Sequence, residues 1–272
     1  MIALCSMWDY NYHRKGLALI KSLQLHVRDF ALCVLALDEW TFSYFEQHRQ
    51  PGVVAFSLPE IETDELLKVK GQRKWVEYIW TLTPVWTRLC FEFMEVDSLA
   101  YIDADCFVFH DLAPLYDEVK GTPVAIIPHR WTPKHADRLR GAGIYNVGWV
   151  YFSQAGIKCL DDWRTDCLDW CYWQVEKDGR FADQGYLNDW PAQYGAHVVQ
   201  HLGANLAPWN QEQYSYSVNG RGLMISNGKR TDPLLFYHFH SFSQDGRRSG
   251  YQLNPAIQQH VYKPYEAIWL KL

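Results

Sequence analysis

The sequence predicts an α/β fold, with a mixed, mostly parallel central sheet flanked by helices. Three observations carry this. Short apolar runs of strand length recur through the first half, and segments of helical periodicity separate them. One run ends in two aspartates, where a sheet of this kind places its ligands. Residues 2–5 read as a short buried strand. Residues 16–25 follow as an amphipathic helix, with Leu17, Leu19, Ile20 and Leu23 apolar. Residues 31–37 and 53–56 are two further strands. Thr83-Pro84 reads as a helix start, with Thr83 as N-cap and Pro84 in the first turn, the helix running to residue 96. Residues 99–102 form the next strand and lead into Asp103-Ala104-Asp105. Residues 124–127 and 146–152 continue the sheet. A long helix is expected next, with Leu160, Trp163, Cys167, Trp170 or Cys171, and Gln174 on one face. Residues 223–226 and 234–240 read as late strands, and Asn254-Pro255 opens a last helix.

Composition excludes several classes. The 272 residues are 48% hydrophobic and 21% charged, with a net charge of −5, as in ordinary globular proteins. No Lys/Arg block forms a stripe, so no nucleic-acid partner is expected. There is no basic-then-apolar leader and no stretch of roughly 18 apolar residues, so neither export nor a transmembrane segment is expected. Peripheral contact with a membrane needs no spanning helix and stays open. Seven cysteines at irregular spacing, with no Cys-x-x-Cys, fit reduced buried thiols in a cytoplasmic protein. The 13 Trp and 17 Tyr suit a carbohydrate-handling protein, although most should pack the core.

The chemistry concentrates in five segments. Asp103 and Asp105 are separated by one small residue, so extended backbone puts both on one side. Two carboxylates held together in a low-dielectric site repel unless a cation lies between them. Mg²⁺ or Mn²⁺ suits such oxygens and keeps positions open for diphosphate. His238 and His240 alternate with aromatics in Phe236-Tyr-His-Phe-His240, and an imidazole ligand tilts the choice to Mn²⁺. Asp183 and Gln184 precede a short helix that Asp183 could cap, or they face a sugar. Gly148, inside a strand beside Asn146, marks a close approach of ligand or backbone. In the loop after the first strand, Trp8, Tyr10 or Tyr12 could stack on a base. Neither a dinucleotide fingerprint nor a P-loop is present.

In this order the segments resemble the GT-A glycosyltransferases, and most closely the family 8 type and its bacterial relatives. Residues 2–23, Thr81 to Leu89 followed by Tyr101-Ile-Asp-Ala-Asp105, Asn146-Val-Gly148, Asp183-Gln-Gly185 and His238-Phe239 each match, over roughly residues 1 to 242. The resemblance implies one GT-A domain over 1–272, with a nucleotide-binding half (1–110) and a sugar- and acceptor-binding half (111–272). It implies a metal on Asp103, Asp105 and His238, with His240 competing. It places a base contact on Tyr12, with Tyr10, Asn11 or Trp8 as alternatives. Ala104 would lie against the donor, Arg88 would face its phosphate or sugar, and Asn146, Gly148, Asp183 and Gln184 would line the sugar. The donor is expected to be a UDP-sugar, the acceptor a saccharide or glycolipid of a bacterial surface, and the anomeric configuration retained. The reaction would take place in the cytoplasm or at the inner face of the membrane.

The chain also departs from that pattern. The lysine expected after the late histidine is missing, and Arg247 or Arg248 stands as a replacement. Two rival readings are a metal-dependent phosphoesterase and a non-catalytic nucleotide-sugar-binding protein. The first would want Ser or Thr where Phe107 stands.

Overall fold

The computed structural model describes residues 1–243 and 250–272. Arg247 and Arg248 lie outside the described residues. The first half alternates strand and helix: β1 (Ile2–Trp8), α1 (His13–His26), β2 (Phe30–Ala36), α2 (Glu39–Gln47), β3 (Val53–Ser57), α3 (Leu58–Ile61), α4 (Asp64–Lys70), α5 (Trp75–Met94), β4 (Ser98–Ile102) and β5 (Cys106–Val108). Then follow α6 (Ala113–Val119), β6 (Val124–Pro128), α7 (Leu139–Ala142), β7 (Tyr145–Ser153), α8 (Ile157–Asp169), a short α9 (Trp190–Gln193) and β8 (His197–Val198). The late strands are β9 (Ser215–Asn219), β10 (Gly222–Ser226), β11 (Thr231–Pro233) and β12 (Phe236–His238).

The central sheet has seven strands in the order β3-β2-β1-β4-β7-β6-β8. Strands β3, β2, β1 and β4 run parallel, and β7 runs antiparallel to both neighbours. This is the mixed, mostly parallel sheet the sequence predicts. Its inner strands β2, β1, β4, β7 and β6 are largely buried on both faces, because two apolar clusters sandwich them, while edge strand β3 leaves Val54 exposed. One holds Leu82, Trp86, Trp163 and Trp190; the other holds Leu19, Ile20, Leu23 and Leu115. A third cluster packs β12 and the C-terminal helical residues around Phe239 and Tyr265, whose rings stack at 3.7 Å. All seven cysteines are buried and unbridged. No helix among the described residues is long and apolar enough to cross a membrane.

Three expected elements differ. Helix α5 starts well before Thr83, and Pro84 lies inside it. Glu77 reaches back to the Lys74 N–H at 2.8 Å and fixes the earlier start. A proline in a helix interior costs roughly 3 kcal/mol. Burial offsets it: Trp86 is fully buried and donates to the Ser6 carbonyl at 3.0 Å. Helix α8 ends at Asp169 instead of reaching Gln174. Its last carbonyls are taken by tertiary donors: Arg73 binds those of Cys167 and Leu168, and the Tyr186 hydroxyl binds that of Trp170. Strand β12 covers only Phe236–His238, so the alternation expected to carry His240 stops short of it.

Candidate active site

Strand β4 delivers Asp103 to the sheet edge, where its N–H binds the Gly148 carbonyl at 3.1 Å. A tight turn, closed by Cys106 N–H to the Asp103 carbonyl at 3.0 Å, returns the chain as β5. Strand β12 then pairs antiparallel with β5, placing His238 opposite Cys106. The consequence is a three-residue cluster. His238 Nε2 lies 3.1 Å from Asp105 Oδ1 and 3.7 Å from Asp103 Oδ2. One ligand atom from each of Asp103, Asp105 and His238 lies within 4.8 Å of the others. Ligands held about 2.1 Å from an octahedral divalent ion stand roughly 3 to 4 Å apart, so a small inward movement would close this set on Mg²⁺ or Mn²⁺. Two hard oxygens and one imidazole also fit that choice chemically.

Burial pushes the Asp103 carboxyl up, only partly offset by His238. Asp105 goes the other way: burial opposes its charge, but His238 and Lys15 outweigh it and hold the carboxyl well below its usual range. His238 is raised, because Asp105 outweighs the burial that disfavours its cation. The cluster thus favours positive charge beside Asp105, and a cation held there would need His238 as the neutral imidazole.

The surroundings aim His238. Its Nδ1 faces Asn205 Oδ1 at 3.2 Å, leaving Nε2 for the carboxylates. Asn205 is fully buried at a left-handed φ of 59°, a conformation asparagine tolerates. Its amide donates to Asn146 Oδ1 at 2.9 Å, and Gly148 N–H donates to the same oxygen at 3.0 Å. Gly148 is required here: a Cβ would sit 2.6 Å from His238 Nδ1 and 2.5 Å from Asn146 Oδ1. The close approach that a strand glycine foretells is thus that of the His238 ring. His240 is not in the cluster. It lies beyond the end of β12, its ring centroid 5.5 Å from that of Trp209.

Other expected residues divide. Trp8 is 2% exposed and packs against Gly16 and Phe45. It therefore offers no face to a base, and that expectation is corrected. Its position on a strand buried on both sides is the reason. Tyr10 and Tyr12 remain about half exposed, on a 3₁₀ turn capped by Asp9. Tyr10 meets Trp40 edge-on at 4.8 Å. The Tyr12 hydroxyl is pushed up, first by the charge of Asp105, so it lies within the field of the cluster. Arg88 is held by Asp161 and Glu92, both at 2.9 Å, and ties α5 to α8. Ala104 is buried between the two aspartates. The carbonyl oxygen of Asn146 serves the His238 support.

Asp183 is 5% exposed and follows Ala182, which holds a strained φ of 49°. Burial and then the charge of Asp103 push its carboxyl up to about 7, against the opposing hydrogen bond from Thr83. It does not cap the short helix of Gly185–Asp189, whose N-cap is Gln184. Gln184 is half-buried, and its amide makes no hydrogen bond among the described residues.

Two residues escape the sequence reading. Asn205 has no motif around it. Lys15 is 4% exposed, 3.5 Å from Asp105 and 4.0 Å over the Tyr12 ring. A signal for it exists: spacing of four and seven puts Lys15 on the buried stripe of α1 with Leu19 and Ser22.

No family model matches the chain. It is 31% identical to the uncharacterized protein YfnD of Bacillus subtilis over 234 residues, 84% of this chain and 74% of that protein. It is 28% identical over 251 residues to YfnF of the same organism, 88% of this chain and 81% of that one. Among solved structures, it aligns over its whole length with 96% of the galactosyltransferase LgtC bound to donor and acceptor sugar analogues, at TM-score 0.59 and 12% identity. The Streptococcus pneumoniae glycosyltransferase GlyE aligns at TM-score 0.57 and 18% identity, over all of this chain and 63% of that one. Mouse xyloside xylosyltransferase 1 aligns at 0.54 and 12%, over 89% of this chain and 98% of that one. With its central sheet matching theirs and its sequence matching YfnD, the chain has the GT-A fold of glycosyltransferases and belongs to the family of YfnD.

Proposed function

We propose that this chain is a metal-dependent glycosyltransferase that moves a sugar from a nucleoside diphosphate, UDP first among the candidates, to an acceptor hydroxyl. The acceptor would be a bacterial surface glycan or glycolipid, and the configuration would be retained. The observation that carries this reading is the Asp103–Asp105–His238 cluster at the C-terminal end of β4. The fold shared with glycosyltransferases supports it.

When bound there, a divalent cation would neutralise diphosphate charge and act as a Lewis acid on the leaving group. Asp103, Asp105 and His238 would hold it, with Asn205 keeping Nδ1 occupied so that Nε2 faces the ion. Tyr10 and Tyr12 would flank the base from the half-exposed turn after β1. Asp183 and Gln184 would face the sugar. An amide is a poor nucleophile, so Gln184 would stabilise positive character at the anomeric carbon through its carbonyl oxygen. That role fits retention by entry of the acceptor on the face the diphosphate leaves. Residues 1–110 would then be the donor half, completed by His238 from the acceptor half. A phosphoesterase is disfavoured, since buried Phe107 occupies the place where that chemistry would want a hydroxyl.

The test is a melting-temperature screen of nucleotide-sugars with and without Mn²⁺, followed by product analysis. A native-state ligand raises the midpoint according to its affinity. The expected outcome is a metal-dependent rise with one donor and sugar release or transfer from it. No rise with any donor, together with phosphate release from an aryl phosphate, would refute the reading.

A further inference from the structure

We propose that Lys15 is the second cation of the donor site: it holds Asp105 while the metal is absent and turns to the donor diphosphate when the metal binds. This rests on the reading of the cluster as a donor site and adds a residue to it. Lys15 sits in the first turn of α1 at 4% exposure. A buried ammonium is costly unless it is paired. Its contacts among the described residues are Asp105 Oδ2 at 3.5 Å and the Tyr12 ring at 4.0 Å. The first is longer than a hydrogen bond, so the three N–H groups are not used up by it.

Asp105 meets His238 through Oδ1 and Lys15 through Oδ2. A divalent cation on Oδ1 beside His238 would leave Oδ2 to Lys15, so the ammonium opposes it by charge across one carboxylate. Charge counting says where the ammonium goes next. Two carboxylates and a divalent ion sum to zero, so the two negative charges of a nucleoside diphosphosugar would stand uncompensated. Lys15, next to Asp105 and under half-exposed Tyr12, is placed to compensate one of them. Departure of the sugar leaves further charge on the diphosphate, and a cation beside it stabilises that state.

The experiment is calorimetric titration of wild type, Lys15→Met and Lys15→Arg. Each is titrated with Mn²⁺ alone, then with UDP, CDP, GDP, ADP and dTDP at saturating Mn²⁺. The expected result for Lys15→Met is opposite in sign for the two ligands. Mn²⁺ alone binds a few-fold tighter, because the opposing charge is gone, while the best diphosphate binds about ten-fold weaker or worse. Lys15→Arg keeps the diphosphate within a few-fold of wild type. Unchanged diphosphate affinity in Lys15→Met overturns the proposal, and so does parallel weakening of both ligands, which is what a purely structural role would give. Should Lys15→Met fail to fold, the wild-type ammonium is followed by ¹⁵N NMR with Mg²⁺. A Lys15 Nζ signal that responds to metal and then couples to diphosphate phosphorus supports the proposal; one that ignores the diphosphate overturns it. Failure of wild type to bind any of the five diphosphates would instead sink the donor-site reading itself.

Discussion

Two sides of the site hold their carboxyl groups in opposite ways. Around Asp105, charges and hydrogen bonds are supplied by the protein: His238 on one oxygen, Lys15 near the other, and Asn205, Asn146 and Gly148 behind the imidazole. Around Asp183 burial dominates, the nearest acid is repulsive, and neighbouring Gln184 leaves its amide unused among the described residues. The first arrangement is prepared for a cation. Burial favours the protonated form of the second, and hydrogen bonds from Thr83 and the Gln184 backbone oppose it. Two buried carboxyls are thus set apart by what faces them: cationic groups at Asp105, a neighbouring acid at Asp183.

The largest expected effect tests the prepared side. Asp105→Ala should abolish Mn²⁺ binding and lower transfer by about 1,000-fold or more, several kcal/mol of barrier. Turnover unaffected by this change, with chelator present, would break the contrast at once. The second prediction tests the protonated side through stability in metal-free buffer. The folded-state pKa of Asp183, about 7, lies above the ordinary carboxyl value of the unfolded chain. Between about pH 4 and 7 the unfolded chain has lost this proton while the folded one keeps it, so wild-type stability falls as pH rises through that window. Asp183→Asn should remove up to about 4 kcal/mol of this dependence, read as the difference between the two urea-unfolding profiles. Parallel profiles would show that folding does not raise the Asp183 carboxyl.

Gly148→Ala comes third. The added methyl must displace His238 or Asn146, so Mn²⁺ affinity should fall about 10- to 100-fold while the fold persists. Unaltered affinity would mean that the ring is not held as described. The smallest effect is expected at Arg88. Its two ion pairs are partly exposed, so Arg88→Ala should cost under about 1 kcal/mol in urea unfolding. Diphosphate binding should stay within two-fold. A ten-fold loss would place Arg88 in the donor site.

The inner strands were readable because a sheet covered on both faces demands continuous apolar runs, and 2–5, 31–37 and 99–102 are such runs; 53–56 reads the same way although it forms the half-buried edge. Helix ends were less so, because tertiary partners set them. Glu77 and the packing of Trp86 carry α5 through Pro84, and Arg73 and Tyr186 stop α8 early. In the site, Asp103, Asp105 and His238 announce themselves by residue type and by position at strand ends. Trp8 misleads, since an aromatic at a strand end looks the same whether it faces a ligand or the core. Asn205 is invisible in sequence because its role arises only from where the chain folds back. Lys15 could have been read: a lysine on an otherwise buried helical stripe needs an acid nearby.

The pairing of β5 with β12 also bears on how the protein comes together. Neither aspartate meets its imidazole until a segment far along the chain has crossed back to lie beside residues 106–108. Strands β1 to β4 pair with one another without that segment, and the cluster stays incomplete until it is in place. A divalent ion captured there would act as a rivet, fastening the late segment to the early one and slowing its detachment.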